Sequence, residues 1–353
     1  MASPFELTIV NGLAGDPAVC LYFRQTGDSL LFDAGNLEPL SNRDLLKVKV
    51  VAVTHTHVDH FIGFDRLIRV NVPHFRTIEV VGPAGIIRNI QGKLAGYAWN
   101  LLEPNQVNII VHEVSPDGSI ESVHLSNSNQ FLATNPTKTP APKDPSTEPA
   151  KIPLRSSTYN LSAVSVDHGM QVLAYGLSMP DSMSVNKAQL DASALEPGPW
   201  ISDLQKMAVD GKIKGSIYIS GAEHDALQLA GSLLQPRSGQ RLIYVTDMIF
   251  SEANIKQLKK LEGAGPNVII CEANYRHEHR QKAFDKFHLT TTQAALTAAL
   301  LNAKHLQIFH ISNLYSGDTD SSLAESDTAF TRLRQLDPVA LWDEASMEFV
   351  SSK

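Results

Sequence analysis

The sequence predicts an α/β protein built as an αββα sandwich, two stacked sheets covered by helices on their outer faces. Three observations carry this reading. Each half of the 353-residue chain runs from strands to helices. The second half then alternates strand and helix regularly. Residues with metal-binding chemistry recur where apolar, strand-like runs end, which is where layered α/β folds gather their sites.

The first sixty residues read as strands at Phe5 to Val10, Ala18 to Gln25, Ser29 to Asp33 and Val48 to Thr54. Gly27-Asp28, between two apolar runs, signals a hairpin turn. Thr77 to Val81 is a further strand, after which Gly82-Pro83 opens a helix from about Ala84 towards Leu101. Gln106 to Val111 and Ser119 to Leu125 form a second hairpin around Pro116-Asp117-Gly118. From Asn127 to Ser157 the composition shifts to Asn, Thr, Pro, Ser and Lys and apolar periodicity is lost, the pattern of a flexible surface insertion. Strands resume at Tyr159 to Val166 and Met170 to Leu177, followed by a helix around Trp200 to Val209. Strands at Ser216 to Ser220, Arg241 to Thr246, Asn267 to Glu272 and Leu306 to His310 then alternate with helices near Asp225 to Leu234, Ser251 to Leu261 and after Thr290. No internal repeat is evident.

Composition narrows the function classes. With 43% hydrophobic residues the chain can bury a sizeable core, and its formal charge of −7 comes without a long Lys/Arg block. Broad electrostatic attachment to nucleic acid or anionic membrane is therefore disfavoured, while a local basic patch stays open. Cys20 and Cys271 sit in apolar runs and read as buried reduced thiols. The Met1-Ala2-Ser3-Pro4 start has no charged n-region or apolar h-region, and no apolar run is long enough to span a bilayer. The expectation is a soluble cytoplasmic protein that does not engage membranes.

The densest chemistry lies in Thr54-His55-Thr56-His57-Val58-Asp59-His60, directly after the apolar run Val48 to Val53. Imidazole and carboxylate together suit zinc or a similar divalent ion, and a loop at a strand end lets several ligands converge. Three later residues share that strand-end placement: His168 after Ala163 to Val166, Asp247 after Leu242 to Val245, and His310 after Leu306 to Phe309. Five His and two Asp can hold two metals if one carboxylate bridges. Asp33, in Phe32-Asp33-Ala34-Gly35, reads as a support for the ligand loop, and the Arg276, His277, His279 and Arg280 group as a solvated loop.

The motifs Thr-His-Thr-His-Val-Asp-His-Phe-Ile-Gly, Val-Val-Gly-Pro-Ala-Gly, Thr-Asp-Met, Cys-Glu-Ala-Asn-Tyr, His-Leu-Thr-Thr-Thr-Gln-Ala-Ala and His-Ile-Ser-Asn-Leu-Tyr occur in this order. In this the chain resembles the metallo-β-lactamase superfamily and, within it, the ribonuclease Z branch that processes tRNA 3′ ends. The resemblance implies one metallo-β-lactamase-type hydrolase domain over residues 1–353 and two divalent ions, zinc above all, with manganese or iron suited by the same ligands. It assigns His55, His57 and His168 to one ion, Asp59, His60 and His310 to the other, and Asp247 to a bridge. Two such ions acidify a shared water and stabilise charge on a phosphoryl oxygen.

Further roles also follow from the resemblance. Asp59 would both ligate and orient the nucleophile, His288 would protonate the leaving group, and Glu272 would orient His288 or a nearby ligand. Thr290 and Gln293 fit a helix capping box that fixes the backbone presenting His288. The implied substrate is a phosphodiester, precursor tRNA included, and the implied assembly a homodimer. Two departures bear on substrate. Leu314 stands where the branch usually has Arg before Tyr315, and residues 178–215 contain few basic residues where members carry a basic tRNA-gripping arm, so this segment reads as a reduced arm. A small phosphodiester or a carboxylic or sulfate ester is the alternative substrate, and a non-catalytic metal- or RNA-binding protein the alternative class.

Overall fold

The first eight strands pair side by side in the order in which they occur along the chain: β1 (Phe5–Ile9), β2 (Val19–Phe23), β3 (Ser29–Phe32), β4 (Val48–Ala52), β5 (Thr77–Pro83), β6 (Asn108–Val114), β7 (Ile120–Ser126) and β8 (Thr134–Thr139). The structure is a computed structural model that describes residues 3–155, 158–263 and 265–349. β3 to β6 run parallel, and the pairs flanking them are antiparallel. A second sheet begins with β9 (Ala150–Lys151), β10 (Asn160–Asp167) and β11 (Gln171–Ser178). The chain then leaves for a separate compact unit, 178–240, holding β12 (Ser182–Val185), β13 (Ser216–Ile219), β14 (Ala222–Asp225) and β15 (Leu234–Arg237). It returns as β16 (Arg241–Val245), β17 (Val268–Glu272) and β18 (His305–Phe309), giving a six-stranded sheet of order β18-β17-β16-β11-β10-β9.

Side-chain alternation along the strands builds the layers. In β3, Leu31 joins a core with Phe64, Leu67, Ile86 and Ile90 from the helices Phe64–Asn71 and Ile86–Ala95. Its neighbour Phe32 points the other way and stacks on Tyr244 of β16, with ring centroids 4.8 Å apart. In β16, Ile243 and Val245 face Ile255, Leu258, Ala294 and Leu333 of the helices Glu252–Glu262, Thr291–Leu300 and Thr319–Leu333. Tyr175 of β11 donates its hydroxyl to the Val53 carbonyl across the gap between sheets, at 2.6 Å. The result is the expected αββα layering. Cys20 and Cys271 are buried free thiols in the two different outer cores, which is why they do not pair.

Several sequence expectations need correction. Residues 127–157 carry β8, which pairs with β7, and β9, which pairs with β10, rather than a structureless insertion. Backbone pairing at an edge needs no apolar side chain, so Thr134–Thr139 leaves no hydrophobic signature, and Pro136 is tolerated beside a register shift. Positions 156 and 157 lie outside the described residues. The separate unit extends to Gln240, not to 215, and has its own core of Trp200, Leu204, Leu229 and Leu233, so contacts divide the chain into two units rather than one. The helix expected to reach Leu101 ends at Ala95. Helices Thr319–Leu333 and Pro338–Glu348 were not anticipated from their sparse apolar residues. Among the described residues no helix is long and apolar enough to cross a membrane.

Two loops that matter for the site approach each other closely. Ala34 donates its backbone N–H to the His60 carbonyl and Gly63 donates to the Ala34 carbonyl, both at 2.8 Å. A Cβ at Gly63 would run into the Gly35 carbonyl oxygen and the Leu37 side chain. Gly63→Ala should therefore destabilise the protein by about 1–3 kcal/mol, as overpacking does. An unchanged denaturation midpoint would show that the loops can separate at no cost.

Candidate metal centre

The site forms where four strand ends of the two sheets meet. β4 ends at Ala52 and feeds the loop with His55, His57, Asp59 and His60; β10 ends at Asp167, next to His168; Asp247 follows β16 and His310 follows β18. Asp33, Asp247 and His310 all take left-handed backbone conformations, with φ of 55°, 45° and 53°. Such conformations cost energy in non-glycine residues and concentrate at functional sites. Here they turn the chain sharply off each strand.

Asp247 is the centre of the cluster. Its Oδ2 lies 3.4 Å from His60 Nε2, 3.4 Å from His168 Nε2 and 3.6 Å from His55 Nε2, while Oδ1 lies 2.9 Å from His310 Nδ1. Asp59 Oδ2 lies 3.6 Å from both His60 Nε2 and His310 Nε2. Three groups with metal-binding spacing result: His55, His57, His168 and Asp247; Asp59, His60 and His310; and Asp247, Glu272, His288 and His310, the last sharing Asp247 and His310 with the other two. Every residue assigned to metal from the sequence is thus in one cluster.

Fixed tautomers make the donor set suitable for cations. His168 Nδ1 donates to the Phe287 carbonyl at 2.7 Å, which leaves Nε2 as a free lone pair. Asp33 is fully buried and takes the Thr54 N–H at 2.7 Å, the Tyr244 hydroxyl at 2.9 Å and His60 Nδ1 at 3.0 Å. His55 and His60 are buried, and their Nε2 atoms have no hydrogen-bond partner. Buried polar atoms left without partners are costly, and a divalent cation is the partner this donor set fits. The clusters are compatible with a dimetal site.

Charges in the cluster are strongly coupled. Burial pulls the His55 imidazole down to about 2, with His60 adding to the effect. Burial also disfavours charge on His60 and His310, but Asp247 outweighs it, holding His60 well above the ordinary range and His310 at about 10. Asp59 loses stability as an anion through burial, yet the adjacent His310 and His60 bring it down to about 2.

Beside the cluster, Glu272 at the end of β17 is fully buried. It accepts from the Met248 and Leu289 backbones at 2.9 and 3.2 Å, and its Oε2 lies 2.8 Å from His288 Nδ1. Glu272 does not line the cavity, and its contact with the site runs through His288 and the backbone around it. The predicted capping box of Thr290 and Gln293 is present and starts the helix Thr291–Leu300 directly after His288. An open cavity of about 360 Å³ is lined by His57, Asp59, His168, Asp247, His288 and His310. Its wall also includes Asp16, which lies in none of the motifs, and Asn274 of the Cys-Glu-Ala-Asn-Tyr motif, neither of which was singled out from the sequence.

No protein-family model matches the chain. A ribonuclease Z from Deinococcus radiodurans is 30% identical over 290 residues, spanning 81% of this chain and 83% of that protein. The chain belongs to the ribonuclease Z family. A second member, ribonuclease Z of Bacillus subtilis, is 27% identical over 284 residues, covering 78% of this chain and 74% of its own. Among solved structures, the metallo-β-lactamase fold protein YhfI of Bacillus subtilis superposes with a TM-score of 0.52 at 16% identity, over 93% of this chain and 94% of that one. Human tRNase Z, short form, gives 0.50 at 15% identity, over 88% and 92%. These two likenesses establish the metallo-β-lactamase fold for this ribonuclease Z family member.

The coupling predicts how metal uptake depends on pH. A ligating imidazole must be neutral, and His310 in the metal-free site holds its proton up to about pH 10. Binding at pH 7 should therefore release protons, and apparent affinity should rise as pH rises towards 10. Calorimetric titration with zinc in buffers of different ionisation enthalpy measures this, and a binding heat independent of buffer would contradict it.

Proposed function

We propose that this chain is a dinuclear metal-dependent phosphodiester hydrolase that cuts precursor tRNA at its 3′ end. The observation that carries the proposal is the gathering of six candidate ligands, His55, His57, Asp59, His60, His168 and His310, around Asp247, in a chain of the ribonuclease Z family. His55, His57 and His168 would hold one ion and Asp59, His60 and His310 the other, with Asp247 between them and zinc the ion best suited to this nitrogen-rich set. When bound, two such ions supply a nucleophilic water near neutral pH and stabilise charge on the phosphoryl group.

The protein's own residues do the rest. Asp33 and the Phe287 carbonyl fix the orientation of His60 and His168. Asp59, on the cavity wall, is held as an anion and can orient the attacking water. Burial disfavours the charged form of His288, but Glu272 more than compensates and raises its pKa. The shift favours the protonated imidazole, the form that can give a proton to the leaving oxygen.

One observation favours a second reading, a small phosphodiester as substrate. The unit 178–240 has five Lys and Arg against seven Asp and Glu, which does not make an anion-binding arm. Incubation of the zinc-loaded protein with precursor tRNA and with bis-p-nitrophenyl phosphate separates the readings. Cleavage of both supports the proposal, and cleavage of the small diester alone supports the second reading.

Two variants test the chemistry. His288→Ala should keep its metals while turnover on RNA falls by about 10²- to 10⁴-fold, with a much smaller loss on a p-nitrophenyl ester, whose leaving group departs as a stable anion. Equal losses on both substrates would remove the proton-donor role. In Glu272→Gln the anion that raises the His288 pKa is gone, so the alkaline limb of the pH–rate profile should move to lower pH with metal content retained. A limb that stays in place would make Glu272 a purely structural acceptor.

A further inference from the structure

The residues that connect β17 to His288 combine cations and aromatics in a way the fold does not require. After Glu272 the chain makes a short turn at His277–His279 and a helix at Arg280–Asp285, and then arrives at His288. Ala283 is the one buried residue of that helix. Phe284 and Phe287, three residues apart, are 37% and 40% exposed. Exposed phenylalanines cost solvation energy and contribute little to a core.

The position of Phe287 is tightly determined. Its backbone is left-handed, with φ of 58°, and its carbonyl is taken by His168 Nδ1. Its ring centroid lies 6.2 Å from that of His168, against Gly169. A partly exposed aromatic face is thus held at the edge of the candidate metal centre.

The cations nearby differ in how they are used. Arg276 is committed to Asp318 at 2.8 Å, and Lys282 sits 5.4 Å over the Tyr275 ring. Arg280 and Lys286 are exposed and have no ion-pair partner among the described residues. From Arg276 to His288 there are four Lys and Arg against two Asp and Glu, in a chain of net charge −7. Free cations interleaved with exposed aromatics are what single-stranded nucleic acid needs, charge for its phosphates and flat faces for its bases.

We infer that the exposed face of residues 280–287 receives a single-stranded RNA segment beside the scissile phosphate, with phosphates on Arg280 and Lys286 and bases stacked on Phe284 and Phe287. This rests on the proposed RNA substrate. It also places the anion-binding surface in the same unit as the candidate metal centre, while the unit 178–240 is acidic in composition.

The test uses the full-length zinc-loaded protein, a precursor tRNA, a short single-stranded oligoribonucleotide and bis-p-nitrophenyl phosphate. For Arg280→Gln/Lys286→Gln, the slope of log Kd for the oligoribonucleotide against log salt should shrink by about 0.7 per cation lost. Phe284→Ala and Phe287→Ala should each raise KM for RNA by roughly 5- to 150-fold, the range for loss of one base stack, while Phe→Trp at either position retains wild-type KM. Metal content and KM for bis-p-nitrophenyl phosphate serve as controls on the site itself. If RNA is cut but the salt slope and KM do not move, this surface is not where RNA lies. A Phe287 loss of the same size on the small diester, or loss of metal, would assign the ring to support of His168 and overturn the stacking role. Hydrolysis of the diester with no binding or cleavage of RNA would overturn both this inference and the proposed function, whereas RNA cleavage insensitive to these variants would overturn the inference alone.

Discussion

The buried carboxylate of Asp33 is the contact on which the site most depends. It is wholly inside the protein, at the end of β3, and it receives Thr54 from the ligand loop, His60 from the cluster and Tyr244 from the opposite sheet. A carboxylate in such a place is tolerable only when donors surround it, because a buried polar group left without partners is costly. Those donors are the elements that must meet for the site to exist. The hydrogen-bonding need of one side chain therefore ties the register between sheets to the orientation of a candidate metal ligand.

Glu272 repeats the arrangement from the other sheet. Like Asp33 it sits at the end of a strand, is fully buried, takes backbone N–H groups from neighbouring loops and holds one imidazole at 3.0 Å or less. Asp33 bonds an imidazole of the candidate metal cluster, and Glu272 one beside it. Each sheet thus furnishes an inner carboxylate behind an outer histidine. The inner carboxylate satisfies one side of each ring, leaving the other nitrogen of His60 directed at Asp247 and His288 on the cavity wall.

Much of this was legible in the sequence because the chemistry and the topology coincide. His55 to His60 form a compact cluster, and His168, Asp247 and His310 stand out because each ends an apolar run, the one place where a polar residue can leave a buried strand and reach a shared site. Asp16 gave no such signal. It reaches the cavity because Asn11 donates to the Asp16 and Asn36 carbonyls, at 2.7 and 2.8 Å, and Ile311 donates to the Leu13 carbonyl at 2.8 Å, contacts that only the folded chain creates. Strand β8 escaped notice for a different reason, since an edge strand can be held by backbone bonds alone and Thr134–Thr139 buries none of its residues fully. The missed elements are those whose stability comes from partners distant in sequence rather than from their own pattern.

The sequential order of the first sheet has a consequence for how the protein is made. Its eight strands lie beside their chain neighbours, so the sheet can assemble from the ribosome outward as each strand emerges. At that stage His55, His57, Asp59 and His60 are already present, but Tyr244 lies 211 residues beyond Asp33 and has yet to be synthesised. The nascent half therefore carries an incompletely covered carboxylate and a partial set of ligands with no Asp247 between them. A cation captured then would meet an open, solvated loop. The full candidate ligand set comes together only with the last strands of the second sheet, so its completion follows the closing of the sandwich.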